Sequence, residues 1–194
     1  MHWEFEQFAR QGGAGAGAYR NALAGAGIPA TEIFVREAIQ NAVGATPPDK
    51  CTDVRMKRVM FEGDSLVRLK ELMSLDQDGS PRARSGLIDE PDWEKVLDEH
   101  PEALLFEDFS ASGLGGTLDH TIEADDSDRF RRLAYELGIH SSDPGAPGTF
   151  GYGKGVYWAT SRVWTAILYS RFTPDDRNGH QSSRLIGVSW FKEH

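Results

Sequence analysis

Hydrophobic positions follow several distinct rhythms along the chain. Over residues 31–45, TEIFVREAIQNAVGA, the spacing predicts a helix. Thr31 is placed to cap it, Glu32 suits the positive end of its dipole, and Pro47 and Pro48 stop the chain beyond it. Residues 53–62, DVRMKRVMFE, alternate as a strand does. Leu66, Leu69, Leu72 and Met73 return to helical spacing over 65–75. The polar segment 76–91, punctuated by Gly and Pro, reads as a loop, with a short helix after it at 92–99. The apolar run ALLFEDF, 103–109, predicts a buried strand that ends in acid. An amphipathic helix follows over 127–138, with Gly138 as its C′ residue. Residues 139–155 are rich in Gly, Ser and Pro. They lead into a helix at KGVYWATSR and two β-rich runs, 164–170 and 184–191. The mixture predicts one α/β (α+β) two-layer sandwich, a mixed sheet covered on one face by helices.

Composition changes this picture little. The chain has 194 residues, enough for one domain with a full core, and its 39% hydrophobic and 26% charged residues are those of a globular protein. The small-residue stretch GGAGAGAYRNALAGAG, 12–27, follows no hydrophobic strand and so is no dinucleotide fingerprint. Residues 1–30 are therefore set apart as an N-terminal small-residue-rich segment, and 31–194 as the folded domain. A net charge of −9 argues against a surface that coats nucleic acid. It leaves room for a nucleotide, whose phosphates need only a few backbone N–H groups and one Lys. No run approaches the roughly 18 apolar residues of a membrane span, and the N-terminus has no apolar segment of the signal-peptide kind. Cys51, the single cysteine, points to a reducing, cytoplasmic setting. No G-x-S-x-G nucleophile motif occurs, and the six His lack metal-ligand spacing.

Three stretches carry candidate chemistry. GTFGYGKG, 148–155, has the spacing of a phosphate loop, but turn residues precede it and Gly155 stands where a Ser or Thr would ligate Mg²⁺. It is not a Walker loop. Gly148, Gly151, Gly153 and Gly155 nevertheless free the backbone to bring N–H groups onto an anion, aided by the N-terminus of the helix that follows. On the first helix, Glu37 and Asn41 share a face with Ile33, Phe34, Ala38 and Ala45, opposite Val35, Ile39 and Val43. The pair is either a surface feature at a domain edge, or a carboxylate that orients water beside an amide oxygen that ligates Mg²⁺. In FEDFSASGLGG, 106–116, the acid at the strand end can accept from a purine amino group, and the glycines allow close approach.

Taken in order, Glu37…Asn41, Asp108…Gly113/Gly115 and Gly148–Gly155 resemble the boxes of the GHKL (Bergerat-fold) ATPases. That family includes type II topoisomerases, mismatch-repair ATPases, ninety-kilodalton chaperones and histidine kinases. The resemblance covers residues 31–160. It implies the Bergerat ATP-binding fold, with Glu37 as general base, Asn41 as Mg²⁺ ligand and Asp108 as adenine reader. Gly113, Gly115 and the lid residues Gly148, Thr149, Gly151, Gly153, Lys154 and Gly155 would enclose the nucleotide. The chain departs from the pattern at Gly44, where many relatives have Asp, and at Ser110, where a glycine usually follows the acid. The longer DFSASGLGG is similar to a branch of bacterial GHKL proteins that includes defence-type ATPases.

The expected activity is Mg²⁺-dependent ATP binding and hydrolysis that switches a larger machine through ATP-dependent homodimerisation, acting on a downstream effector domain or partner protein. No membrane and no direct nucleic-acid contact are expected. A non-catalytic nucleotide-binding module is the alternative from another class. A histidine-kinase domain fits less well, because only about thirty residues precede the first box and a phosphoacceptor hairpin is missing. The chain ends on a strand-like run, RLIGVSWFKEH, so it is expected to be the N-terminal part of a longer protein.

Overall fold

The first helix, α1 (Ala30–Ala45), begins without a side-chain cap. The carbonyl of Pro29 accepts from Glu32 and Ile33 N–H, so the backbone itself starts the helix and Thr31 lies inside it rather than capping it. At the other end the Thr46 hydroxyl donates to Ala42 O over 2.8 Å, before Pro47 and Pro48. Ile33, Phe34, Ala38 and Ala42 are buried, while Val35, Ile39 and Val43 on the opposite side are exposed. The helix thus turns inward the face that carries Glu37 and Asn41. Ala42 takes the buried position expected of Ala45.

The computed structural model describes residues 27–73, 93–119, 121–123, 125–135 and 153–189. After α1 come β1 (Val54–Met60), α2 (Asp64–Leu72), α3 (Trp93–Glu99), β2 (Glu102–Asp108) and α4 (Arg129–Ala134). A 3₁₀ turn (Gly153–Gly155) then leads into α5 (Val156–Ala159), followed by β3 (Thr165–Arg171) and β4 (Ser183–Ser189). The loop expected at 76–91 lies outside the described residues, as does Gly138. The helix expected over 127–138 is described as α4.

Among the described residues the strands form two antiparallel pairs, β1–β2 and β3–β4, instead of one shared sheet. The architecture is mixed α+β with small antiparallel sheets. In the first pair Val54 faces Asp108 and Met60 faces Glu102. Lys57–Glu107, 2.8 Å apart, and Arg58–Glu102 pair diagonally across it. β2 is not the buried strand that its apolar run predicts. Leu104 and Leu105 are exposed, and Phe106 is its apolar residue that packs inward, edge-on to Phe34 of α1. Hydrophobicity alone could not tell a two-layered strand from a ribbon with open faces. In the second pair Thr165 faces Ser189, and their hydroxyls are 2.8 Å apart.

α5 joins the two principal apolar clusters. Val156 belongs with Ile33, Phe34 and Ala38 of α1, whereas Trp158 packs with Phe130, Ala134, Trp164 and Val188. Trp158 is fully buried, and its indole N–H donates to Val188 O over 2.9 Å, which satisfies its one polar atom. A third cluster packs Met73, Leu97 and Val163 beside α2 and α3. The result fixes α5, and the turn that precedes it, between α1 and the β3–β4 ribbon.

Candidate functional site

Three segments meet where the inner face of α1 is covered. Phe34, Phe106 and Tyr157, one from each of α1, β2 and α5, pack with ring centroids 6.1–6.4 Å apart. Phe34 meets both of the others edge-on, the geometry that aromatic quadrupoles favour. This apolar floor sets the polar groups around it.

Glu37 and Asn41 stand one turn apart on α1, above that floor. Arg36 holds Glu37 Oε1 through Nε at 3.1 Å and Nη2 at 3.0 Å. The other oxygen, Oε2, lies against Gly153, where any Cβ would overlap it. A side chain at 153 would therefore displace the carboxylate. The Asn41 amide nitrogen donates to Gly153 O at 3.3 Å and, more weakly, to the Tyr157 hydroxyl at 3.5 Å.

Asp108 ends β2 and turns the chain. Its Oδ1 accepts from Ser110 N–H at 3.0 Å and Ala111 N–H at 3.1 Å, a side-chain-to-backbone turn of the kind Asp favours. Among the described residues Oδ2 makes no such bond. Ser110, the departure from glycine, has a task of its own, because its hydroxyl accepts from Asp53 N–H at 2.9 Å and clasps the start of β1. Ser112 N–H reaches Ala45 O at 3.2 Å, which ties this turn to the end of α1. Burial pushes the Tyr157 hydroxyl above its ordinary value; the Asn41 amide opposes that rise, and the negative charge of Asp108 adds to it. The phenol is thus kept neutral between the two.

The remaining expected residues divide. Gly148, Thr149 and Gly151 lie outside the described residues. Gly113 adopts φ +81°, and the close approach it permits is to the Arg171 carbonyl, where a Cβ would overlap the oxygen. Gly115 packs beside the Phe172 ring in ordinary contact. Both brace the turn after β2 against the end of β3. The Lys154 ammonium donates to Arg132 O of α4 at 2.9 Å. Gly155 is buried at the start of α5. That helix has four residues, too short to offer an anion the dipole that a longer helix was expected to supply.

The donor set suits a hard cation. Asn41 Oδ1 is a hard oxygen donor, one turn from the Glu37 carboxylate on the same face of α1. A Mg²⁺ site of one or two protein oxygens has its shell completed by water and substrate phosphate, so the residues present fit that ion.

Sequence reasoning missed Arg36, Tyr157 and a second polar centre. Asp128 is fully buried and accepts from Thr117 N–H at 2.8 Å, Asp125 N–H at 2.9 Å and the Arg177 guanidinium. Arg184 lies over the rings of Phe130 and Phe172 and donates to Gly116 O at 2.9 Å, bracing the same turn as Gly113. An aromatic residue close after the glycine loop was the available signal for Tyr157. For Asp128 and Arg177, 49 residues apart, no local signal exists. Among the described residues no helix is long and apolar enough to cross a membrane. Comparison with family models, curated proteins and solved structures finds no match to this chain.

Proposed function

We propose that the chain binds ATP with Mg²⁺ and hydrolyses it, in a site formed by α1, the turn after β2 and the turn before α5, on a Bergerat-type fold. The observation that supports this most directly is the convergence of those segments. Glu37 Oε2 and the Asn41 amide both face Gly153, Phe106 of β2 packs against Phe34 and Tyr157, and Ser112 N–H of the turn after β2 reaches Ala45 O at the end of α1. The GHKL resemblance implies the same three segments around one nucleotide.

In this scheme Asp108 accepts the adenine amino hydrogen at Oδ2, while Oδ1 stays committed to its turn. Glu37 receives the proton of the attacking water at Oε2, with Arg36 steadying Oε1. Asn41 offers Oδ1 to the cation. Mg²⁺, when bound, neutralises charge on the phosphate oxygens as the γ-phosphoryl group is transferred. By the GHKL resemblance, Gly153 and Gly155 would help to enclose the phosphates, and Lys154 would have to leave Arg132 O to join them. Gly113 and Gly115 hold the adenine-side turn. Turnover would drive an ATP-dependent homodimer of a cytoplasmic machine, with defence against phage as one setting.

Calorimetry of ATP binding with Mg²⁺ tests the assignment of Asp108. Asp108→Asn keeps an oxygen for the Ser110 and Ala111 N–H groups while replacing the ligand-facing acceptor by a donor. Affinity is expected to fall by about 1–3 kcal/mol. Unchanged affinity would remove Asp108 from the adenine pocket, and a wild-type chain that fails to bind ATP would refute the activity altogether. Binding without turnover would instead support the non-catalytic module.

A further inference from the structure

We infer that Tyr157 is a positioning residue for Asn41: with the Gly153 carbonyl, its hydroxyl takes the hydrogens of the Asn41 amide and turns Oδ1 outward as the oxygen available to a divalent cation. The inference rests on the ATP site proposed above and adds to it a residue that the motif pattern does not contain.

The geometry fixes which way the amide faces. A backbone carbonyl can only accept, so the atom of Asn41 that lies 3.3 Å from Gly153 O must be the nitrogen. The same nitrogen lies 3.5 Å from the Tyr157 oxygen, which is the acceptor within reach of its second hydrogen. Both contacts are at the long end of the hydrogen-bond range, yet they agree on one orientation. Reversing the amide would set oxygen against oxygen at Gly153. Oδ1 is thereby left on the opposite side, and no buried, unsatisfied Asn41 oxygen results. Tyr157 can hold this place because its ring is wedged between Phe34 and Phe106, each 6.1 Å away, and because its neighbour Trp158 anchors α5 through Val188 O. A hydroxyl on so fixed a ring acts as a rigid stop for the amide. A rigid stop limits the rotamer freedom that Asn41 would otherwise lose on ligating the cation.

Tyr157→Phe removes the hydroxyl and leaves the ring in its place. The experiment measures ATP binding by calorimetry over a Mg²⁺ titration and in EDTA, for the wild type, Tyr157→Phe, Asn41→Ala and the double variant, with the thermal midpoint of each. In Tyr157→Phe the Mg²⁺ concentration for half-maximal effect should rise about three- to ten-fold, the scale of one lost hydrogen bond. Its affinity in EDTA and its thermal midpoint should match the wild type, which a merely structural role would not allow. Asn41→Ala should lose at least as much, and the double variant no more than Asn41→Ala alone, because Tyr157 acts through Asn41. Wild-type Mg²⁺ dependence in Tyr157→Phe, or additive losses in the double variant, would overturn the positioning role while leaving the ATP site standing. ATP binding by the wild type that ignores Mg²⁺ would overturn the role of Asn41, and this inference with it.

Discussion

Glu37 has its two carboxylate oxygens in different surroundings, and this separates binding from chemistry at the scale of single residues. Oε1 is held by Arg36 and Oε2 faces Gly153. Glu37→Ala should retain ATP and lose hydrolysis by about 10²–10⁴-fold, the range for a positioned base, as read by steady-state phosphate release. Gly153→Ala is a subtler probe. The added methyl meets only the mobile end of the Glu37 side chain, so the fold should tolerate it while the carboxylate is displaced. Its thermal midpoint should stay near the wild type and its turnover fall at least about ten-fold, as a misplaced base predicts. A wild-type rate in both variants would assign the base to another group. The pairing of Glu37 with Asn41 was legible because residues four apart share a helix face. The partners that orient them were not. Tyr157 is 116 residues from Asn41 along the chain, and only folding brings it there.

At the scale of elements, the division of α1 into an Ile33/Phe34/Ala38 side and a Val35/Ile39/Val43 side followed from 3.6-residue spacing, although Ala42 and not the expected Ala45 completes the buried side. Which side faced inward did not, since both are apolar. The inward side is the one with small alanines, where the Gly153–Gly155 turn and α5 can approach closely. The turn after β2 shows a similar limit. Its glycines suggested room for a ligand, yet Gly113 uses its positive φ to pass the Arg171 carbonyl. Gly113→Ala should therefore destabilise the protein by at least about 2 kcal/mol, from left-handed strain and backbone overlap together. Gly115→Ala, which adds a methyl in ordinary contact with Phe172, should change stability by less than about 1 kcal/mol. Denaturant midpoints of the two variants make the comparison, and equal effects would show that the turn does not depend on this approach.

Over the whole molecule, Asp128 and its donors join the turn after β2, α4 and the segment between β3 and β4. Burial raises the pKa of this carboxyl, but the Arg177 hydrogen bond and the Asp125 and Thr117 N–H groups outweigh burial and lower it to about 2. A carboxylate held below its ordinary value stabilises the fold above the unfolded pKa. That stability, on the order of 2 kcal/mol, should be lost as pH falls from about 4 to about 2. Acid unfolding of Asp128→Asn should lack this step, and a wild-type dependence in the variant would place the titration elsewhere. The sequence by itself determined the order of helices and strands, the face shared by Glu37 and Asn41, and the acid that ends β2. All of these depend on neighbours within a few residues, through helical spacing, strand alternation and turn chemistry. Tertiary structure alone decided that the described strands form two separate ribbons, that Lys154 reaches Arg132 O, and that Gly153 and Tyr157 close over α1. It also decided that Arg177 and Arg184 brace the loop after β2. Each is a contact between distant segments, settled by which apolar faces bury one another and which buried polar atoms then find partners, and no local pattern encodes that choice.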